Sequence, residues 1–579
     1  MVYRMDRVGR KKRKTRDAKM TLREGGTKLV QLPPVPVIAA GNLLDRFGFK
    51  EMIDNAVEWD RTQWNVSPGD LAKAMVMSMF WNYERPALVN IGRTFCGLPM
   101  NMMFDEIRSS DEIGRYVLAE TLDRIHDAGS SEIFRNVSSA VRAHWGIVTK
   151  IVHSDLTTVP VEGVYAAEDP EFNITYGYSK DMRNDLKQYT VGYAVGDHGL
   201  LMNAEAMDGN ASDIRWNEKC LDSMHTLLAG GHAVYVADCK LMTMALIRNM
   251  HSSGILFVSR CPYNFAETLE HRVLDAVNIE EMEDIGASSA SKNAAVRKIK
   301  EFQVTAEDIP LRAIAVKSSS MDGKGDAAVE KEKKAVDEMI GKFAKVYKCR
   351  PDAEKAFAKL SKKIGKTVFD AHATFSKRIV ETRKKGRPRK DGTDIMRAEE
   401  CVVDISVTAN PDRERMLRRS AEMYVIISNV PSENDDPVNG MSAKDLVDLY
   451  GRQWKVEGQF KSLKTPAIAD QLFIKTQPRA EALIMLMNVA ILLRGLMQLL
   501  IRKGLEAIPD EELPHYGHDD GILQRNVTAD FFIRTNQSCL MVTEPDSNEY
   551  WFADPDGKSA MRAKFFFGLL GIQAENIFG

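Results

Sequence analysis

Cysteine is scarce and scattered in this 579-residue chain. Its seven cysteines, Cys96, Cys220, Cys239, Cys261, Cys349, Cys401 and Cys539, form no Cys-x2-Cys pair. Their odd number and spacing support neither a disulfide framework nor a zinc site. The first residues are basic rather than apolar, so no secretory leader is expected and the chain reads as intracellular. No apolar run is both long and clean. Ala482–Ile501 is interrupted by Asn488, Arg494 and Gln498, and reads as a buried helix rather than a membrane span. Gly557-Lys558-Ser559 hints at a nucleotide-binding loop, but Phe552 stands where that loop needs its earlier glycine. There is no zinc-protease motif, no dinucleotide fingerprint following a strand and no internal repeat.

Net charge is also nearly absent, −2 at pH 7. Its distribution is uneven. Residues 1–28 carry 11 Lys/Arg against 3 Asp/Glu, and residues 341–398 carry 18 against 6. The rest of the chain is correspondingly acidic, so discrete phosphate-binding segments on an acidic body are expected. The basic arm is equally readable as a solvated tail. Within the second segment, Arg383-Lys-Lys-Gly-Arg387-Pro-Arg389-Lys390 has the form of an AT-hook, an extended Arg-Pro stretch that lies in a narrow A·T minor groove. A flexible, solvated linker reads the same residues as well.

What is present is concentrated in Tyr450-Gly-Arg-Gln453-Trp454-Lys-Val-Glu457-Gly-Gln-Phe-Lys461-Ser-Leu-Lys464. Leu446, Leu449, Val456, Phe460 and Leu463 recur at helical spacing, and Ser442 with Asp445 makes a start signal. The spacing predicts one helix. On it Gln453, Glu457, Lys461 and Lys464 fall within about 60° of Tyr450. A carboxylate, a phenol, an amide and two ammonium groups on one face can hold a cation and a phosphate together.

Two further carboxylates stand in strand contexts. Asp155 lies inside the alternating stretch Ile151–Pro160, and Asp238 ends the apolar run Ala233–Ala237 ahead of a helical stretch near 241–250. In open α/β sheets chemistry gathers at strand ends, although a lone Asp there commonly caps a turn. His153 shares the strand face of Asp155 and reads as a packed histidine.

In this combination the chain resembles an insertion-sequence transposase of the DDE superfamily, in the group with the signature Tyr-x2-Arg-x3-Glu-x6-Lys. Tyr450, Glu457 and Lys464 match that signature, and Trp454 is the aromatic that follows its arginine position. Gly177–Gln188, Asp208–Asp213 and the stretch from Pro36 also read like this group. One departure is Gln453 at the signature arginine, where a neutral amide replaces a cation. Arg452 is adjacent but about 100° away on a helix, whereas Lys461 shares the face.

The resemblance implies an α/β fold: a ribonuclease-H-like mixed sheet flanked by helices, interrupted by a large insertion, with a helical N-terminal domain. The expected division is a basic arm (1–30), a helical DNA-end-binding domain (31–145), a first core part (146–262), a basic insertion (263–430), a second core part (431–505) and a tail (506–579). Strands are expected near 147–161, 188–196, 200–207, 233–238 and 255–260, with Asp197-His-Gly199 as a turn. Ser67-Pro68-Gly-Asp70 should open a helix whose Ala72, Met75, Val76 and Met79 face the core. The resemblance implies an insertion mainly of β structure, whereas this one reads as charged helical stretches mixed with strand-like Cys401–Thr408 and Met423–Ser428, more helical and more basic.

The implied chemistry is phosphoryl transfer. Three carboxylates within about 4 Å would repel by roughly 4 kcal/mol per pair at intermediate dielectric, and divalent cations turn that penalty into binding. Oxygen-only ligands suit Mg²⁺ or Mn²⁺, and two ions suit in-line displacement at phosphorus. Asp155, Asp238 and Glu457 would hold both ions while water frees a 3′-hydroxyl at the element's end and that hydroxyl attacks target DNA. Tyr450, Gln453, Lys461 and Lys464 would hold phosphates, with Lys180 and Arg183 as further phosphate contacts. Trp454 would stack on an end base, and Arg387 and Arg389 would enter a minor groove. Expected partners are double-stranded transposon ends and target DNA, bound by a homodimer in the prokaryotic cytoplasm. The alternatives are a catalytically inactive, transposase-derived DNA-binding protein, favoured by Gln453, and a related nuclease that only hydrolyses.

Overall fold

Alternation of apolar residues along the chain first takes effect after a layer of N-terminal helices. The structure, a computed structural model, describes residues 23–24, 27–81, 85–165, 172–228, 233–266, 268–287, 294–383, 395–465, 468, 474–544 and 550–573. It divides into two units, residues 1–220 with 454–579, and residues 221–453. Both are mixed α/β, with sheet strands flanked by helices, and the first carries a helical N-terminal region.

The first unit begins with α1 (Val35–Arg46), α2 (Phe49–Ala56), α3 (Pro68–Ser78), α4 (Arg115–Asp127) and α5 (Ser130–His144). The α3 start is as its sequence predicts: Ser67 Oγ accepts from the Asp70 amide at 3.1 Å, with Pro68 in the first turn. Every residue of α3 is buried, not only the expected stripe. Its Lys73 therefore needs partners, which are Asp45 at 2.5 Å and the Met103 carbonyl at 2.7 Å. Strands β1 (Ile151–Val161), β2 (Lys187–Gly196) and β3 (Leu201–Met207) follow, antiparallel in the order β3-β2-β1. Gly199, at φ +81°, makes the turn between the last two, a conformation in which glycine has no Cβ penalty. Trp216 of α6 (Asp213–Ser223) lies against β2 at Gly192, where a Cβ would sit 2.2 Å from its ring.

The second unit holds β4 (Val234–Ala237), α7 (Met244–Ser252) and β5 (Leu256–Arg260), and β4 and β5 are parallel. Beyond them come β6 (Glu283–Ala287), β7 (Val296–Ala306), β8 (Ile309–Ser318), α8 (Lys324–Gly341), α9 (Arg350–Ile364), β9 (Phe369–Arg383), β10 (Ile395–Ala409), α10 (Pro411–Glu422) and β11 (Met423–Ser428). The sheet order is β4-β5-β11-β8-β7-β6, and β9 and β10 pair over 15 residues as a separate ribbon. The insertion is thus richer in strand than expected. The β7–β8 hairpin turns at Glu307 and Asp308, both at positive φ. That is the backbone of a primed hairpin turn, built here without the Gly or Asn that marks one in a sequence. Arg387 and Arg389 of the AT-hook-like stretch lie outside the described residues. The unit closes with α11 (Ala443–Gly451), capped by Ser442 Oγ on the Asp445 amide at 3.1 Å.

The chain then re-enters the first unit through α12 (Trp454–Leu463), α13 (Gln477–Glu506), α14 (Ala529–Asn536) and α15 (Lys558–Leu569). An apolar surface on all sides suits a helix enclosed by others. Accordingly α13, though long and apolar enough to cross a membrane, has 83% of its most apolar window buried in the protein. Its three polar interruptions are each satisfied. Asn488 accepts from the Tyr193 hydroxyl at 2.8 Å, Arg494 pairs with Asp530, and Gln498 accepts from the Ala529 amide at 3.3 Å. Residues after 506, unreadable from sequence, complete this core. Strand Met541–Thr543 pairs with Val30–Gln31, and Arg46 donates to the Leu570 carbonyl at 3.0 Å.

Candidate active site

The single helix expected across Tyr450–Lys464 is two helices. It breaks at Arg452–Gln453, between α11 and α12. The apolar stripe stays in phase across the break, so periodicity could not reveal it, and Gly451 is the one weak local signal. The face drawn on a continuous helix, with Arg452 placed by that geometry, is therefore replaced by two sets of residues. Tyr450 and Gln453 belong to the second unit, and Trp454, Glu457, Lys461 and Lys464 to the first.

In the first unit, Asp155 lies opposite Tyr193 in the β1–β2 ladder, and such pairs share a sheet face. The Tyr193 ring stacks on Phe460 of α12, centroids 4.9 Å apart at 16°. Asp155 therefore points to the face that carries the Glu457 helix. On the other face, Ser154 Oγ accepts from the Trp216 indole at 2.8 Å, which fixes the strand beside the carboxylate. His153 is fully buried, as a packed histidine should be. Glu457 is exposed.

A cation already sits at Asp155. Lys180 Nζ is 3.7 Å from Asp155 Oδ1 and 3.6 Å from Asp213 Oδ1, and it donates to the Leu156 carbonyl. Its amide donates to Thr158 Oγ1 at 3.0 Å. Next to it, Asp181 accepts from Lys464 at 2.6 Å, so one loop joins Asp155 to the far end of α12. Close backbone packing fixes this loop. A Cβ on Gly177 would lie 2.2 Å from the Gly209 carbonyl, and one on Gly209 would lie 2.0 Å from the Gln188 carbonyl. That contact draws Asp208–Asp213 beside 177–188 and delivers Asp213, a residue to which the sequence attached no role. Arg183 is engaged elsewhere, bidentate with Asp185 at 2.9 Å, which holds its guanidinium pKa up and the Asp185 carboxyl down.

In the second unit, Asp238 follows β4 and caps a short turn by accepting from the Lys240 amide at 2.9 Å, while its carbonyl accepts from Ser259 Oγ at 2.7 Å. Asp238 thus fills the capping role that a strand-end Asp commonly takes. Tyr450 shares its surroundings. Burial pushes the phenol up to about 12, the Arg260 guanidinium opposes the shift and the Asp238 charge adds to it. Arg260 also lies over the Tyr424 ring at 5.5 Å. This cation at the end of β5 was missed in the sequence, where nothing distinguishes it from a solvated strand end. Gln453 is half-buried in the turn, its backbone N–H donating to the Tyr450 carbonyl at 3.2 Å. Trp454 is 63% exposed.

Among the described residues, no three His, Cys, Asp or Glu side chains stand close enough to form a metal site. The donors do suit a hard cation, being carboxylate oxygens with a lysine ammonium standing at one of them.

A family model described as a transposase DDE domain matches residues 155–493, from Asp155 itself through Asp238 and Glu457. The chain belongs to the DDE transposases. A second model, described as a domain of unknown function (DUF4277), matches residues 31–139, the helical region of this transposase. No curated protein matches the chain. Seven chains of solved structures do. One is described as the cryo-EM structure of a piggyBac transposase synaptic complex with hairpin DNA. It is 9% identical, aligned over 86% of this chain and 70% of that one, with a TM-score of 0.33, a likeness too slight to carry weight.

Proposed function

We propose that the protein cleaves DNA at the ends of its element and transfers the freed 3′-hydroxyl into target DNA. In this reading Asp155, Asp238 and Glu457 are the catalytic carboxylates, and the protein belongs to the group with the Tyr-Arg-Glu-Lys signature. The observation that carries the reading is the placement of Asp155 on the sheet face that packs the Glu457 helix, with a cation already beside it. The same three carboxylates would hold Mg²⁺ or Mn²⁺. Such ions, when bound, supply charge for the attacking and leaving oxygens of a displacement at phosphorus.

The remaining work falls to the chain's own groups. Tyr450, protonated at physiological pH as any tyrosine is and held so further by burial, donates to a phosphate oxygen. Lys461 and Lys464 neutralise the backbone, and Gln453 donates without charge. Lys180 holds the Asp155 carboxylate and would be free to pair with phosphate with a divalent cation bound there. The substrates are double-stranded element ends and target DNA, brought together by a homodimer in the nucleoid. The test is alanine at Asp155, Asp238 or Glu457. Each variant loses Mg²⁺-dependent nicking of an element end and retains DNA binding. Nicking that survives any one of them defeats the assignment, and a wild-type protein that binds but never nicks is the inactive derivative.

A further inference from the structure

A cleft of about 1090 Å³ opens in the first unit beside α12. It is lined by Trp454 and Lys461 of α12, the 197–199 turn, Lys503 of α13 and Arg534 of α14. Gly199, Gly458 and Gly495 are among the residues that face it, as are the acids Asp197, Glu506 and Asp530. At Gly495 a Cβ would come within 3.3 Å of the Gly199 carbonyl, whereas Gly458 has nothing within 4 Å of that position. The wall is thus closely packed behind and open in front, so a bulky ligand can lie along it.

The cations around the cleft are of two kinds. Arg494 is buried and neutralised by Asp530, and Arg502 is tied to the Val527 and Asn526 carbonyls at 2.9 and 3.1 Å. Lys461, Lys503 and Arg534 are exposed and make no ion pair among the described residues. Three uncommitted positive charges on three different helices converge on one cleft. Trp454, at 63% exposure, stands at the same place. Uncommitted cations of this kind neutralise phosphates, and the indole offers a face only to a base that is unpaired at a strand end.

We propose that this cleft is a track for the phosphodiester backbone of double-stranded DNA, running past the Glu457 helix and held by Lys461, Lys503 and Arg534. The proposal rests on the reading that the protein acts on DNA, and extends it to a surface outside the carboxylate site. The test uses the full chain, a random-sequence duplex and fluorescence anisotropy over a salt series. Each phosphate contact contributes about 0.9 to the slope of log affinity against log salt. Lys503→Ala with Arg534→Ala should therefore flatten the slope by about 2, and Lys503→Arg with Arg534→Lys should restore it. Lys503→Gln with Arg534→Gln repeats the test if the alanine pair melts early. Lys333→Ala with Lys334→Ala, on the mixed-charge helix α8, should leave the slope unchanged. An unchanged slope in both cleft pairs, or an equal loss in the α8 pair, overturns the proposal while wild-type binding keeps the DNA reading intact. A wild-type protein that binds no duplex defeats the DNA reading itself.

Discussion

Lys180 Nζ stands between Asp155 and Asp213, 3.7 Å from one carboxylate and 3.6 Å from the other. It neutralises two acids that would otherwise repel, and any cation drawn to Asp155 competes with it. Lys180→Met should then act in two directions. Mg²⁺ should bind more tightly, as followed by calorimetry on the DNA-free protein. Cleavage of an element end should fall about ten- to a hundredfold, the scale of one lost charge-assisted hydrogen bond. Unchanged metal affinity would show that the ion binds away from Asp155.

Gln453 leaves a neutral amide where the signature has arginine, in the turn that joins α11 to α12. Gln453→Arg should tighten binding to an element end and steepen its salt dependence by about 0.9, one further phosphate neutralised. If affinity and slope both stay as in the wild type, the side chain does not face phosphate.

The α/β class and the first unit's strands were legible because large apolar residues alternate with small or polar ones, as at Tyr189, Val191, Tyr193 and Val195, although Gln188–Gly196 is buried on both faces. Gly199 marked the turn, and Ser67-Pro68-Gly-Asp70 marked a helix start, for local steric reasons that need no tertiary context. The insertion was legible only in part: Cys401–Thr408 alternates and lies in β10, but the outer half of the ribbon does not alternate. Lys377, Arg378 and Ile379 are all exposed, so β9 carries no alternation there. The Glu307–Asp308 turn lacks its usual residues. Asp155, Asp238 and Glu457 stood out as candidates by their strand and helix contexts, but the meeting of Lys180 and Asp213 with Asp155 was not legible, because it depends on Gly177 and Gly209 letting two backbones touch, a contact between segments far apart in sequence.

Tyr450 supplies a pH test. Its pKa is raised from 10.0 to about 12 in the folded chain, so the folded state favours the protonated phenol more than the unfolded state does. That contribution is fully present below pH 10 and is lost as pH rises through 12. Other buried tyrosines, among them Tyr189 and Tyr193, are raised by burial too, so the wild-type decline is shared. The difference between wild type and Tyr450→Phe isolates one phenol. Denaturant unfolding should show the variant losing less stability across this alkaline window, and parallel curves would mean that Tyr450 ionises as freely folded as unfolded.

Gly192 tests whether the sheet positions the site. A Cβ there would lie 2.2 Å from the Trp216 ring, whose indole donates to Ser154, the neighbour of Asp155. Trp216 is fully buried and cannot swing into solvent, so Gly192→Ala must push either the ring or the strand. Overpacking of this kind costs about 1–3 kcal/mol, visible as a lower Tm. Trp216→Phe makes room for the methyl, so the double variant should lose less stability than the two single losses added together. If β2 is what yields, Gly192→Ala should also cut end cleavage at temperatures where it remains folded, because Ser154 and Asp155 of β1 pair with Ala194 and Tyr193 of β2 and shift with it. A lower Tm with full cleavage would mean that the ring alone gives way, and that the carboxylate is held from the α12 side, through Tyr193 and Phe460.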